Sequence, residues 1–462
     1  MRVTIALIMA ALLAGAAFAQ GGEAAPAKPF SFKGGIELGS DVLPTGELVN
    51  GKPTNEAWTK LGFQPDLGFG KFGVGIDLSF RFQLYPQDSD NAIKIYEGDW
   101  VPSGDKNFLD VYLPKIMYFR YGLKGEDPPF AKLGSINDLS LGNGFIVGNY
   151  SNMKFMPETR IFGLDLGIDG RLFNFPYVGF EALTGNLARF DVIGGRVFAR
   201  PFVGTELPIL KNLQAGLTVA MDTQPDLYKA PSNPVETMTA YGVDVMAPIL
   251  GGKVFPLAAF MDIAFDPNAT MGSMIGFGGK LVGIINYGAQ IRVLQDGFIP
   301  VYFDANYDLY RARKHDFMTT DALKGDAFNA GWYASLGTSF LGDQIVFNAA
   351  LDGPMKEKPA VASSDQTDYP HLRGIFHFGE GVIGGIYFDA SYEKYFLGKE
   401  NGFFKDLVDP TDAVIGLAVN YKTGASVLTL KYDASWNPDF NNGDGTFGKF
   451  EVRSSLSASM KF

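Results

Sequence analysis

Residues 72–84 read FGVGIDLSFRFQL. Every even-numbered position in this segment is apolar, and every odd-numbered position is glycine or polar. Successive side chains of a strand point to opposite faces, so this spacing predicts a strand with one apolar and one polar face. The segment is much longer than the roughly 5–6 residues usual for strands of soluble sheets. It therefore indicates a tall, two-faced sheet.

The same alternation recurs along the chain, most clearly in residues 301–309, 386–393, 428–436 and 450–462. A tilted strand of about 9–11 residues crosses a bilayer. Many such strands, apolar on one face and polar on the other, are typical of a membrane β-barrel with a wet interior. A soluble sandwich, propeller or β-helix is the alternative. It is disfavoured because its strands should be shorter and because no fixed repeat is visible.

The amino terminus predicts export. Met1 and Arg2 precede a short apolar run that ends in the small-residue box Ala17-Phe18-Ala19. A basic start, an apolar core and an A-x-A box are typical of a cleavable signal peptide. We therefore expect a signal peptide at 1–19, a short periplasmic tail at 20–30 and an outer-membrane barrel at 31–462.

Composition excludes several functional classes. The chain of 462 residues holds 57 Gly, 40 Phe and 20 Tyr but no Cys, and its net charge is −11. Without Cys, disulfides, thiolate metal sites and Cys nucleophiles are ruled out. The acidic balance argues against nucleic acid as a partner. The mean hydropathy of +0.04 is too polar for a bundle of membrane helices and too apolar for a disordered chain.

A single-chain barrel of this kind should have an even number of strands, with short turns on one side and long loops on the other. The predicted strands number 21, which is odd. Strand counts made forward from the N-terminus and backward from the C-terminus put the long loops on one side only if one strand between Asp266 and Pro300 is miscounted. We therefore predict about 20 strands (range 18–22), with long outer connections at 40–61, 85–108, 137–160, 223–237, 311–329, 353–371, 397–411 and 437–448. The candidate strands lie at 31–39, 62–70, 72–84, 110–121, 129–136, 161–170, 175–184, 190–201, 213–222, 238–247, 255–265, 274–284, 286–295, 300–310, 330–340, 344–352, 372–380, 385–396, 412–422, 426–436 and 449–462.

The chain resembles a bacterial outer-membrane β-barrel protein of the porin-like channel class. The resemblance rests on the signal peptide and on the closing strand, which ends the chain on Phe462. It implies that the last strand pairs with the first and is read by the barrel-assembly machinery during insertion into outer-membrane lipid. The residues implied in that assembly signal are Phe450, Val452, Leu456, Met460 and Phe462. It also favours a monomer, since trimeric members usually have fewer strands.

The strand register predicts which charged side chains face the lumen. The acidic candidates are Asp77, Asp165, Asp169, Asp244, Asp262, Asp304, Asp308, Asp389, Glu393 and Asp433, and the basic candidates are Arg81, Arg196, Arg292 and Lys431. An acidic pore concentrates cations, so a mild cation preference is one interpretation. The other is that lumen positions need only be polar, whatever their sign.

The connection from Asn137 to Arg160 is apolar and glycine-rich where an exposed loop should be polar. An apolar stretch in a loop usually packs on something. One hypothesis is that it folds into the lumen and narrows the pore; an extra strand or packing on neighbouring loops are the alternatives. The constriction candidates are Leu141, Phe145, Ile146, Val147 and Tyr150.

Catalysis is not expected. The chain has only three His, none with a partner visible in the sequence, and no G-x-S-x-G stretch. We predict no cofactor and no metal. The predicted function is an outer-membrane channel for diffusion of small solutes through a polar, acidic-leaning lumen. The alternatives are a substrate-binding channel for apolar or bulky compounds, and a surface adhesin or binding protein anchored by the barrel.

Overall fold

The computed structural model describes residues 31–49, 52–85, 92–104, 106–124, 129–227, 236–252, 254–320, 325–360, 362–441 and 447–461. Residues 1–30, with the predicted signal peptide and tail, lie outside the described residues, as does Phe462. The described chain is all-β, and its 24 strands form one antiparallel sheet.

The strands are β1 Ser31–Lys33, β2 Gly35–Val49, β3 Lys52–Phe63, β4 Asp66–Phe69, β5 Phe72–Ile76, β6 Leu78–Leu84, β7 Ile93–Ile95, β8 Ile116–Tyr121, β9 Phe130–Gly134, β10 Gly163–Asp169, β11 Val178–Thr184, β12 Val192–Ala199, β13 Gln214–Asp222, β14 Met238–Leu250, β15 Leu257–Phe265, β16 Met271–Leu281, β17 Ile285–Gln295, β18 Phe328–Phe340, β19 Ile345–Pro354, β20 His371–Ile383, β21 Ile386–Lys394, β22 Ala413–Thr423, β23 Ser426–Asn441 and β24 Phe447–Lys461. The helices are α1 Phe108–Tyr112, α2 Pro208–Lys211, α3 Tyr307–Thr319 and α4 Phe403–Val408, with 3₁₀ turns at Glu97–Asp99, Leu113–Lys115, Gly170–Phe173 and Gln366–Asp368. None of these described helices combines the length and apolar composition needed to cross a bilayer.

The sheet returns to its beginning, because β24 pairs with β2 over eight residue pairs from Gly35–Lys461 to Val42–Ser454. Three pairs of elements continue one another across short breaks in the same register: β1 with β2, β3 with β4, and β5 with β6. β7 pairs with β6 over three residues only, and the next full strand of the ring is β8, which pairs with β5. The described strands therefore make a closed ring of 20 positions, and the predicted antiparallel barrel of about 20 strands is confirmed.

The predicted strand at 300–310 is wrong. Residues 300–306 are irregular and α3 begins at Tyr307. Val301 has a positive φ of 52°, and the Asp304 carboxylate accepts a hydrogen bond from the Asn306 amide at 3.0 Å, which turns the chain. The surplus strand of the prediction thus lies just beyond Pro300. Without it, residues 296–327 form one connection, and the long connections fall on one rim of the barrel.

Two further segments differ from prediction. The region 40–61 is largely a tall hairpin of β2 and β3, not an irregular loop. Its Lys, Glu, Asn and Pro residues hid that alternation. The candidate strand at 110–121 begins as α1 and a 3₁₀ turn, because the Asn107 side chain caps the backbone amides of Leu109 and Asp110.

The two faces of the wall differ as the alternation predicts. On β16, Ile275 and Phe277 point outward and are 59% and 48% exposed, whereas the inward Met274 is 3% exposed. We call the edge with the turns 282–284, 341–344, 384–385 and 424–425 the turn rim, and the opposite edge the loop rim. The barrel thus presents an apolar outer surface and encloses a lumen.

Candidate functional site in the barrel lumen

Two connections from the loop rim enter the lumen and join into one body. Residues 135–162 connect β9 to β10, and residues 296–319 begin the connection from β17 to β18. A parallel bridge links Val147 to Phe303; the Gly148 amide donates to the Phe303 carbonyl at 3.1 Å, and the Val301 amide donates to the Phe145 carbonyl at 2.8 Å. We call the two segments together the plug.

The predicted constriction residues form the apolar centre of the plug. Leu141, Phe145, Ile146, Val147 and Tyr150 are all buried, none more than 7% exposed. They pack with apolar residues of the 296–319 segment and with inward side chains of β11–β16. These wall residues are Leu183, Val192, Ala220, Met238, Ala240, Ala264 and Met274. The apolar stretch therefore packs inside the barrel, which explains why so many apolar residues occur in a loop.

Asn152 fixes the base of the plug at the loop rim. It is fully buried, and its Oδ1 accepts from the Ile136 amide at 2.7 Å. Its Nδ2 donates to the carbonyls of Gly185 at 2.9 Å and Ile161 at 3.3 Å. One side chain thus ties the start and the end of the 135–162 segment to the β11–β12 connection.

The tip of the plug rests on a row of predicted lumen charges. Arg196 forms a two-pronged contact with Asp244, at 2.8 Å from Nε and 2.6 Å from Nη2. Asp244 pairs in register with Asp262, and the Asn143 side chain donates to Asp262 at 2.7 Å. Arg196, Asp244 and Asp262 all point inward and are less than 10% exposed. The predicted charges here hold the tip of the plug and do not face open water.

A buried ionic cluster anchors α3 to the wall. Arg311 donates to both carboxylate oxygens of Asp222, at 3.0 and 2.6 Å, and to Asp191 at 2.7 Å. Asp308 lies 3.9 Å from the same guanidinium and accepts from the Tyr150 hydroxyl at 3.3 Å. Each of these four charged side chains is at most 3% exposed. One cation therefore faces three carboxylates at the end of β13.

The neighbouring residue reaches the opposite wall. The Tyr310 hydroxyl donates to the Trp436 carbonyl on β23 at 2.9 Å, and the Asn306 side chain donates to the Tyr395 hydroxyl at 3.0 Å. β23 lies ten steps from β13 in the ring of 20, directly across the barrel. The 296–319 segment is thus a strut that spans the mouth of the lumen.

Between the plug and β17–β21 lies a cavity of about 130 Å³. Arg292 pairs with Asp352 at 3.1 Å, and His371 contacts Asp352 and Glu393 through its two ring nitrogens, each at 3.0 Å. Because both nitrogens face carboxylate oxygens, both donate and the ring carries a proton on each. Arg373 lies 3.7 Å from Glu393. The cavity wall carries alternating charges of both signs.

Most other predicted lumen charges also have partners of opposite charge. The pairs are Asp77 with Arg160 at 2.7 Å, Arg81 with Asp99 at 2.9 Å, Asp165 with Lys124 at 3.0 Å, Asp169 with Arg200 at 2.8 Å and Asp304 with Lys314 at 2.7 Å. Asp389 lies 2.7 Å from a ring nitrogen of His377. Asp433 lines a small cavity with Lys154 and Arg453, and Lys431 lies exposed two residues before it on the same face. Asp304 and Asp308 belong to the plug, not to a strand, because the strand predicted for them is absent.

Strand register missed the basic residues carried by segments outside the strands. Arg160, Arg311 and Lys314 lie in the plug, and Lys124 follows β8. Their positions depend on how a loop folds back, which alternation does not specify. One signal was visible: Arg311 stands three residues after Asp308, which is the spacing of neighbouring side chains on a helix.

Four of the assembly-signal candidates, Phe450, Val452, Leu456 and Met460, lie on β24, and the fifth, Phe462, lies outside the described residues. Leu456 and Met460 are 50% and 54% exposed on the outer face, and Phe450 packs edge-on against Trp436. The predicted pairing of this strand with the first one is confirmed by the β2–β24 register. Recognition by assembly machinery stays a prediction.

Strand order, closure and the inward plug define a single-chain antiparallel β-barrel with a partly filled lumen. Solved structures that resemble it are β-barrel porins. They include OccK2 (OpdF) of Pseudomonas aeruginosa, at 11% identity and a TM-score of 0.34, covering 94% of this chain and 98% of that one. OccAB3 of Acinetobacter baumannii is 11% identical with a TM-score of 0.34, and the match covers 94% of this chain and 99% of that one. OpdK of P. aeruginosa, solved with vanillate, is 10% identical with a TM-score of 0.32, and the match covers 93% of this chain and 98% of that one.

No family model matches the chain, and no curated protein sequence matches it significantly. Similarity as low as that of the solved porins carries no inference about what this chain transports. The assignment of a barrel fold follows from the strand pairings of this chain itself.

Proposed function

We propose that this protein is an outer-membrane channel through which small solutes diffuse, with the plug setting the width of the path. The closed ring carries this proposal: its outer face is apolar, and its inner face holds charged residues such as Arg196, Asp244 and Arg292. A wall of this kind is stable in a bilayer because each of the 20 positions in the ring pairs with two neighbours and no sheet edge meets lipid. The cleaved signal peptide, insertion by the assembly machinery and a monomeric state belong to the same proposal.

Selectivity in this proposal comes first from size and then from charge. The acidic lumen residues favour cations. Five of the ten predicted acidic residues lie within 3.0 Å of a lysine or arginine, so their fields are partly cancelled. We therefore expect a weak cation preference. A reversal potential measured in a salt gradient tests its sign, and clear anion selectivity would remove it.

The apolar connection from Asn137 to Arg160 also suggests an alternative, a binding channel for apolar or bulky compounds. The constriction candidates of this connection are buried within the plug, and none is more than 7% exposed. They are occupied by contacts with the wall and do not offer a surface to a passing solute. This observation favours diffusion past the plug over binding to it.

The direct test uses the purified full chain. Heat-modifiable migration on a gel reports a folded barrel, and planar lipid bilayers report conductance. We expect discrete channel steps and uptake of small neutral sugars in liposome-swelling assays. A folded barrel that gives neither steps nor swelling would make it an anchor for its outer loops instead.

A further inference from the structure

The strut described above is anchored by two dissimilar contacts. Toward β13 it holds a buried ionic cluster, and toward β23 it holds neutral hydrogen bonds. We propose that the cluster of Asp191, Asp222, Asp308 and Arg311 is a proton-sensitive latch, which keeps α3 docked across the lumen in acid and favours its release as the pH rises toward neutral. This inference rests on the proposed channel function, because release matters only if the lumen conducts.

The cluster is unbalanced in charge. With all groups ionised, three carboxylates face one guanidinium, and each of the four side chains is at most 3% exposed. Uncompensated charge is costly to bury, so one carboxylate in such a site tends to keep its proton. The geometry therefore contains a group that takes up a proton on docking.

Asp308 is the member with the weakest contacts. Asp222 receives two short bonds from Arg311 and one from the Tyr307 hydroxyl at 2.6 Å, and Asp191 receives one from Arg311. Among the described residues, Asp308 contacts the distant edge of the guanidinium and the Tyr150 hydroxyl. Asp191 Oδ1 is buried without a hydrogen-bond partner among the described residues.

The groups that face Asp308 come from four elements. The β11–β12 connection supplies Asp191 and β13 supplies Asp222, which are both negative. The 135–162 segment supplies the neutral Tyr150, and α3 itself supplies Arg311. Burial raises the pKa of Asp308 to about 7, and the charges of Asp191 and Asp222 add to the effect while Arg311 opposes it.

The direction of the pH effect follows from this raised pKa. When α3 is released into water, Asp308 regains an ordinary carboxyl pKa near 3.8. The docked state is therefore favoured at low pH and loses stability as the pH rises from about 4 to about 7. Within that window each pH unit shifts the balance toward release by up to about tenfold, and above it the effect levels off.

The test is single-channel recording of the full chain in planar bilayers at pH 5 and pH 8. We expect the wild type to show a higher mean conductance, or more frequent large steps, at pH 8. Asp308→Asn mimics the protonated acid, so it should keep the acid behaviour at both pH values. Asp316→Asn removes an exposed acid from the same helix and should follow the wild type.

A second readout does not require conduction. The chain has no Cys, so Met318→Cys gives one thiol on α3 at a position that is 4% exposed. We compare the ratio of the maleimide labelling rate at pH 8 to that at pH 5. This ratio should be several-fold larger in Met318→Cys than in Met318→Cys combined with Asp308→Asn. The second variant corrects for the ionisation of the thiol itself.

The outcomes separate the two ideas. Labelling that depends on Asp308 in a barrel that never conducts would support the latch and refute the channel. Channels whose conductance and labelling change equally with pH in the presence and absence of Asp308→Asn would refute the latch and leave the channel standing.

Discussion

The lumen wall has two halves that carry the same alternation but different inner faces. In the apolar half, β11–β16, the inward residues near the loop rim are Leu, Val, Ala and Met, and the plug packs on them. In the polar half, β20–β24, inward residues such as Asp389, Lys431 and Asp433 remain accessible. The outer faces of both halves are apolar. The position of the plug therefore follows the polarity of the inner face, which is apolar where the plug packs.

The halves also differ along the strand. On β14 the inward residues run from Met238 and Ala240 near the loop rim to Gly242 and Asp244 deeper in the lumen. Small residues leave room for the plug, and the charge begins where its tip ends at Asn143. A change from apolar to charged along one inner face thus marks the depth that the plug reaches.

The largest expected effect comes from removing the part of the plug that packs on the apolar half. Deleting Leu141 to Tyr150 should raise single-channel conductance at least about twofold, because conductance grows with the open cross-section of a pore. A deletion of 398–402, in an outer connection beyond β21, should leave conductance near the wild-type value. Equal conductance in all three proteins would mean that the plug does not narrow the path.

The next effect concerns the ionic anchor to the apolar half. Arg311→Met leaves three buried carboxylates without their cation, which should destabilise docking of α3 by about 3–5 kcal/mol. Faster proteolysis within α3 and a lower thermal transition in detergent would report it. Arg313→Met is the matched control: Arg313 lies 3.8 Å from Asp412 and is 34% exposed, so its loss should cost less than about 1 kcal/mol.

Much of the wall could be predicted from the sequence, because strand alternation is a local property and both faces have fixed environments. Asp244, Asp262 and Arg196, which the register assigns to the inner face, are buried beneath the tip of the plug. The plug could be predicted only in part. The apolar loop was visible, but the partner segment at 300–310 alternates like a strand, since its residues pack on both sides inside the barrel. Which cation reaches which carboxylate depends on contacts between residues far apart in sequence, such as Arg311 with Asp191.

A pair of glycines separates crowding by the plug from backbone strain. Gly142 at the plug tip has φ +58°, and an added Cβ would lie 2.9 Å from both Arg196 Nε and Asp244 Oδ2. Gly424 in a turn of the polar half has φ +60° with nothing within 4 Å. In both Ala variants the left-handed backbone should lower the free energy of unfolding by about 1–2 kcal/mol. Gly142→Ala should lose about 1–3 kcal/mol more through crowding. Equal melting shifts would mean that the tip of the plug yields freely.

The smallest expected effect is at the neutral anchor to the polar half. Tyr310→Phe removes one hydrogen bond, from the hydroxyl to the Trp436 carbonyl, and keeps the ring. A neutral bond of this kind contributes about 0.5–1.5 kcal/mol, so the melting shift should be several times smaller than that of Arg311→Met. It should also be the same at pH 5 and pH 8, because no charged group is involved. A shift as large as that of Arg311→Met would mean that α3 is held equally from both walls, and the contrast between the halves would then not extend to their anchors.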